Sequence, residues 1–143
     1  MTLTRSEREP VDAERVTRSV ELDAAPARVW DALTEDGLLG EWLADEVELE
    51  AEPGGEIVCR YADGEERRGE VSLVEEAERL AFEWRRDGEA PSRVELTVDV
   101  VATGTRVTVI ESGDGPGSPA LVGAAWASRL RALPLVLGRL VLA

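Results

Sequence analysis

The chain has no histidine, lysine, asparagine or glutamine, and its sixteen basic residues are all arginine. Biased codon usage accounts for that gap more simply than adaptation to high salt. The chemical consequence is the same in either case. No His-based triad, His metal ligand or Lys Schiff base can be assembled. The single cysteine, Cys59, excludes an internal disulfide and a multi-cysteine zinc site. No base stands beside it in sequence, so it reads as a small buried hydrophobe.

Positive charge is scarce as well. Thirty acids against sixteen arginines leave a formal charge of −14, which repels nucleic acid and anionic membranes at long range. Residues 1–9 are polar and charged and form no secretory apolar core. The apolar C-terminal stretch is interrupted by Arg129, Arg131 and Arg139, which argues against a membrane span. These features imply a cytoplasmic protein with neither nucleic acid nor an integral membrane as partner. The acid-rich runs 45–52 and 63–66 alternate with apolar residues or flank a turn, as a solvated sheet face does, so no metal or cofactor is expected.

What is present fits an ordinary globular chain, with 43% hydrophobic and 32% charged residues. Its 143 residues form one expected domain, 1–143, with 1–12 as a loose tail. Such a domain buries roughly 70% of its unfolded surface.

Residues 15–22 alternate and predict a first strand. Asp23 is the N-cap candidate for a short helix with Pro26 in its first turn and Val29, Trp30 and Leu33 as its stripe. A second short helix is expected over 36–43, with Leu38, Leu39 and Trp42 inward. From Asp45 the hydrophobic period becomes two. Val47 and Leu49; Ile57, Cys59 and Tyr61; residues 68–74; Leu80, Phe82 and Trp84; Val94, Leu96, Val98 and Val100; and Val107 and Val109 mark successive strands. Glu111 is next in the last phase. Turns such as Asp63-Gly64 and Asp87-Gly88 separate them, which predicts an antiparallel meander.

A Gly/Pro loop over 112–119 then leads to a long helix. On a helical wheel Val122, Trp126, Leu133, Leu137 and Leu140 share one face, opposite Ser128, Arg131 and Arg139. Pro134 lies inside and predicts a kink or break near Leu133. One sheet face is charged and faces water; the other needs a cover, and only this helix is long enough. The fold class is therefore α+β: an antiparallel sheet of about six to seven strands around a long C-terminal helix, with two short helices after the first strand.

The element order, together with Val20-Glu-Leu-Asp-Ala-Ala-Pro-Ala-Arg-Val-Trp-Asp-Ala-Leu-Thr34, Leu39-Gly-Glu-Trp-Leu43, Gly54-Gly, Gly69-Glu-Val71, Arg79-Leu-Ala-Phe-Glu-Trp84 and a late Trp126, resembles the START-like helix-grip superfamily. The likeness is to its Hsp90-ATPase-activator-homologue-like and polyketide-cyclase-like branch. That resemblance implies a cavity between sheet and terminal helix that grips a small hydrophobic molecule. The candidate ligand-binding residues are Trp30, Trp42, Tyr61, Phe82, Trp84, Leu96, Glu111, Trp126, Arg129 and Leu133.

Core packing competes with cavity lining for each tryptophan, because a buried indole needs a partner for its N–H. Arg129, at the edge of the helix stripe, either points inward to hold a carboxylate or enolate or snorkels outward. Glu111 is the acid best placed by parity to meet Arg129, though exposure at its strand end is the simpler expectation. Tyr61 either donates a hydrogen bond inside or sits at the hairpin edge. Two other classes compete with ligand binding. One is a cyclase, dehydratase or hydrolase using the same cavity, with no catalytic residue assigned; the other is a protein-interaction module acting on a chaperone or regulator. Self-association through the first strand or the terminal helix is also left open.

Overall fold

The computed structural model describes residues 15–113 and 118–142. The expected N-terminal tail, residues 114–117 of the expected loop, and the side chains of Arg139 and Leu140 lie outside that description. The elements are β1 (Val16–Leu22), α1 (Pro26–Thr34), α2 (Asp36–Leu39), β2 (Glu46–Leu49), β3 (Glu56–Arg60), β4 (Glu66–Glu75), β5 (Arg79–Arg86), β6 (Ser92–Val101), β7 (Gly104–Gly113) and α3 (Pro119–Leu142). All seven strands lie in one sheet of order β1-β7-β6-β5-β4-β3-β2, and every neighbouring pair is antiparallel. This is the helix-grip arrangement expected from the meander: β2 to β7 pair in sequence, and β1 joins at the far side against β7.

Strand alternation sets the core. Along β6, Ser92, Val94, Leu96 and Val98 are buried; along β7, Thr105, Val107, Val109 and Glu111 are. Their outward neighbours are mostly Arg, Glu and Thr, which carry the wet face. On β3 and β5 the alternation is incomplete, because Val58 and Ala81 are buried along with the inward residues. α1 carries Val29, Trp30, Ala32 and Leu33 inward at helical spacing.

Two local expectations are corrected. α1 is capped by Ala25 without a side-chain hydrogen bond, not by Asp23, because Pro26 starts the helix two residues later. Of the kink or break expected near Leu133, the break is absent: α3 runs through Pro134 to Leu142. Pro134 and Leu135 lie on its exposed side, so the hydrogen bond that proline surrenders is lost where water can replace it.

By length and hydropathy alone, Pro119–Gly138 would suffice to cross a membrane. Instead α3 is a core helix. Trp126, Leu130, Leu133, Val136 and Leu137 are all buried against the rest of the domain. Each such burial contributes roughly 1.5–3 kcal/mol.

Candidate ligand site

Two charged centres lie where α3 meets the sheet. The first is Glu111, in phase with Val107 and Val109 and directly opposite Val94 on β6. Being only 7% exposed, it corrects the expectation of a solvent-facing strand end. Its two oxygens accept hydrogen bonds from the indole N–H of Trp126 (2.7 Å), the indole N–H of Trp84 (2.9 Å) and the hydroxyl of Ser92. Ser92 pairs with Trp84 across the β5–β6 ladder, so the register delivers two of the three donors side by side. The carboxylate thereby ties β5, β6, β7 and α3 together. Trp84 and Trp126 stack at 5.9 Å, and Phe82 meets Trp84 edge-on at 5.4 Å.

The second centre is Arg129, three residues after Trp126 and so on the next turn of α3. Its guanidinium lies 4.6 Å from the Trp126 ring centre, 5.7 Å from that of Trp84 and 5.9 Å from that of Tyr61. Its Nη2 donates to the Tyr61 hydroxyl at 3.2 Å, and that hydroxyl reaches the Leu43 carbonyl at 3.4 Å. Arg129 and Tyr61 are both half-buried. Among the described residues the Arg129 contacts are these rings and this hydroxyl, and both oxygens of the anticipated partner Glu111 are already engaged by neutral donors.

Arg67 completes the second centre, and the sequence reading passed it over. It shares parity with Gly69 and Val71 on β4, pairs with Cys59 on β3 and with Arg86 on β5, and has its guanidinium 4.7 Å from the Trp84 ring centre. Glu65 holds it at 2.7 Å and stands 3.1 Å from Arg86. Gly69, opposite Trp84, lets the β4 and β5 backbones lie close there. A Cβ there would lie 1.6 Å from the Glu83 carbonyl oxygen and 2.7 Å from the Trp84 Cα. Ser92 was passed over too, although it shares the inward parity of Val94 and Leu96.

Burial pushes the Cys59 thiol up to about 12, with Arg129 and Arg67 pulling weakly the other way. Burial likewise raises the Tyr61 phenol, against the opposing charge of Arg129. Neither group is prepared to act as a neutral-pH base or nucleophile. Tyr61 and Glu65 also border an open cleft of about 430 Å³ beside the β3–β4 hairpin.

The remaining candidates fall elsewhere. Trp42 donates its indole N–H to the Ala32 carbonyl at 2.8 Å and belongs to the packing between α1 and the turn after α2. Trp30 is a buried residue of α1, and among the described residues it has no ring contact with Trp84 or Trp126. Leu96 and Leu133 are core residues with at most 1% exposure. No group of three or more acidic or cysteine side chains that could hold a metal occurs among the described residues.

Sheet topology, helix order and the α3 cover define a START-like helix-grip domain. Within that class the chain belongs to the Activator of Hsp90 ATPase homolog 1-like family, whose profile matches residues 23–138. No curated protein sequence matches it. Among solved structures, protein MLL2253 from Mesorhizobium loti is similar, with a TM-score of 0.81 and 23% identity over 87% of this chain and 97% of that one. DynU16, from the dynemicin biosynthetic locus, has a TM-score of 0.79 and 28% identity, covering 87% of this chain but only 47% of its own length. CalU16 from Micromonospora echinospora has a TM-score of 0.70 at 23% identity, over 86% of this chain and 74% of that one. Family and neighbours are consistent with a ligand-binding or cyclase-type role.

Proposed function

We propose that the protein binds a small amphipathic molecule between α3 and the inward sheet face at the β3–β4 end. The apolar body of the ligand would lie against the aromatic side chains, contributing roughly 25 cal/mol per Å² buried before ordering costs. Its polar head would meet Arg129 and Tyr61. One observation carries this reading: a half-buried guanidinium set among three aromatic rings, with a tyrosine hydroxyl as its hydrogen-bond partner. Ligand sites characteristically combine apolar walls with a few convergent polar groups. The likeness to DynU16, a protein from a biosynthetic locus, is in keeping with a small-molecule ligand.

Two observations weigh against chemistry at the same place. The Tyr61 phenol is shifted away from neutrality, and every oxygen of Glu111 is already engaged. A protein-interaction role draws less support. The large exposed apolar residues Leu121 and Leu135 are fourteen positions apart on α3, about 21 Å along its axis. A cytoplasmic setting accords with α3 spending its apolar face on the sheet.

Native mass spectrometry of the gently purified chain, followed by solvent extraction, tests the proposal. A co-purifying small amphiphile, with tryptophan fluorescence that changes when it is added back, is the expected result. A chain that carries nothing and shows no fluorescence response to any amphiphile contradicts it.

A further inference from the structure

Resting on that ligand-site reading, we infer that the head group the site selects is a single negative charge, a carboxylate or phenolate, received by Arg129. Charge accounting around the aromatic cluster leads there. Three guanidinium groups approach it: Arg67, Arg86 and Arg129. Arg67 is held by Glu65 at 2.7 Å, and the same carboxylate oxygen stands 3.1 Å from Arg86. Arg86 also has Glu89 at 4.0 Å on the exposed side. Glu111, the other acid of the cluster, already accepts from two indoles and Ser92.

Among the described residues, that leaves the Arg129 charge met by ring faces and a hydroxyl, in a protein whose overall charge is −14. Cation–π contacts and one neutral hydrogen bond offset part of the cost of desolvating a guanidinium. A carboxylate offers the planar bidentate acceptor that the guanidinium fork fits. Tyr61 would turn its O–H from the long contact to the Leu43 carbonyl toward the second ligand oxygen. Arg67, 4.7 Å from the Trp84 ring on which Arg129 also borders, adds a second positive field without giving up Glu65. The net field of the chain repels anions in general, so discrimination has to come from this one contact.

Matched head groups on two apolar bodies test the inference. The full-length chain is titrated calorimetrically with decanoate, decanamide and decylamine, and with 2-naphthylacetate and its amide. Each acid is expected to bind about tenfold or more tighter than its amide, and decylamine most weakly. Arg129→Gln is expected to bring acid and amide to within about twofold of one another. Arg131→Gln, which removes the same charge from the exposed side of α3, is expected to keep the full preference. Equal binding of acid, amide and amine to the wild type overturns the anion preference and leaves the ligand site standing. An acid preference that survives Arg129→Gln overturns the assignment to Arg129. If none of the five probes binds, the ligand site itself fails, and the inference with it.

Discussion

Glu111 and Arg129 are opposite charges that touch the same tryptophan, Trp126, yet they are treated in opposite ways. The Glu111 carboxylate is buried, 7% exposed, and accepts from three neutral donors on three elements. The Arg129 guanidinium is half-open, spread over ring faces, and satisfied by one hydroxyl. A buried carboxylate with both oxygens hydrogen-bonded is a fastener. A half-buried charge with acceptor capacity still wanted is an invitation. The shared element is Trp126, whose N–H serves the first centre and whose face serves the second. Packing that secures the fold therefore also builds one wall of the proposed site.

The contrast can be broken first at the fastener. Glu111→Leu strands two indole N–H groups and a serine hydroxyl, each at a cost of about 1–3 kcal/mol. An overall loss of roughly 3 kcal/mol or more is expected, read as a fall of roughly 10 °C in the thermal midpoint. A loss under about 1 kcal/mol would show that the carboxylate is not structural. Gly69→Ala ranks next. Its Cβ would collide with the β5 backbone beside Trp84, and urea unfolding is expected to show a loss of about 2 kcal/mol.

A pH titration sharpens the comparison further. The Cys59 thiol keeps its proton in the folded chain up to about 12, whereas the unfolded thiol loses it near its ordinary value of 9.0. The folded state therefore binds more protons across that window, and stability falls as pH rises through it, by at most about 1.4 kcal/mol per pH unit. Below that window the contribution is fully present. Cys59→Ala removes this share of the slope, and urea midpoints measured between pH 8 and 11 should show a flatter decline than the wild type. Native Cys59 is also expected to resist alkylation at pH 8 and to react once the chain is unfolded in urea.

The smallest effect on stability belongs to Arg129. Arg129→Gln removes a half-buried charge with no carboxylate partner among the described residues. The unfolding free energy without ligand is expected to stay within about 0.5 kcal/mol of the wild type.

Much of the fold was legible because its signals are local. Period-two alternation from Val47 to Val109, punctuated by Asp-Gly and Thr-Gly turns, specified the meander, and the wheel of α3 specified its cover. The Asp23 cap was misread, since a proline can restart a helix boundary; of the kink or break expected at Pro134 only the break is excluded, since an exposed face can tolerate a missing hydrogen bond. The site was less legible. Parity placed Trp84 inward and the helical wheel placed Trp126 there, while Tyr61 was left open and Glu111 was expected at an exposed strand end. Neither could say that Glu111 would be claimed by two indoles before Arg129 could reach it, because that depends on how β5, β7 and α3 meet in space. Arg67 and Ser92 carried the same parity signal as their apolar neighbours. Strand parity does not depend on side-chain type, so the same alternation that marks their apolar neighbours could have found both.

The division between fastener and ligand contact is tested most directly by urea unfolding of the wild type and Arg129→Gln, each with and without saturating decanoate. A ligand that binds only the folded chain raises the midpoint in proportion to the logarithm of its concentration over Kd. The two proteins are expected to unfold together without decanoate, with only the wild type moving to higher urea when it is added. Arg129→Gln unfolding much earlier in the absence of ligand, or gaining as much from decanoate as the wild type, would contradict the account.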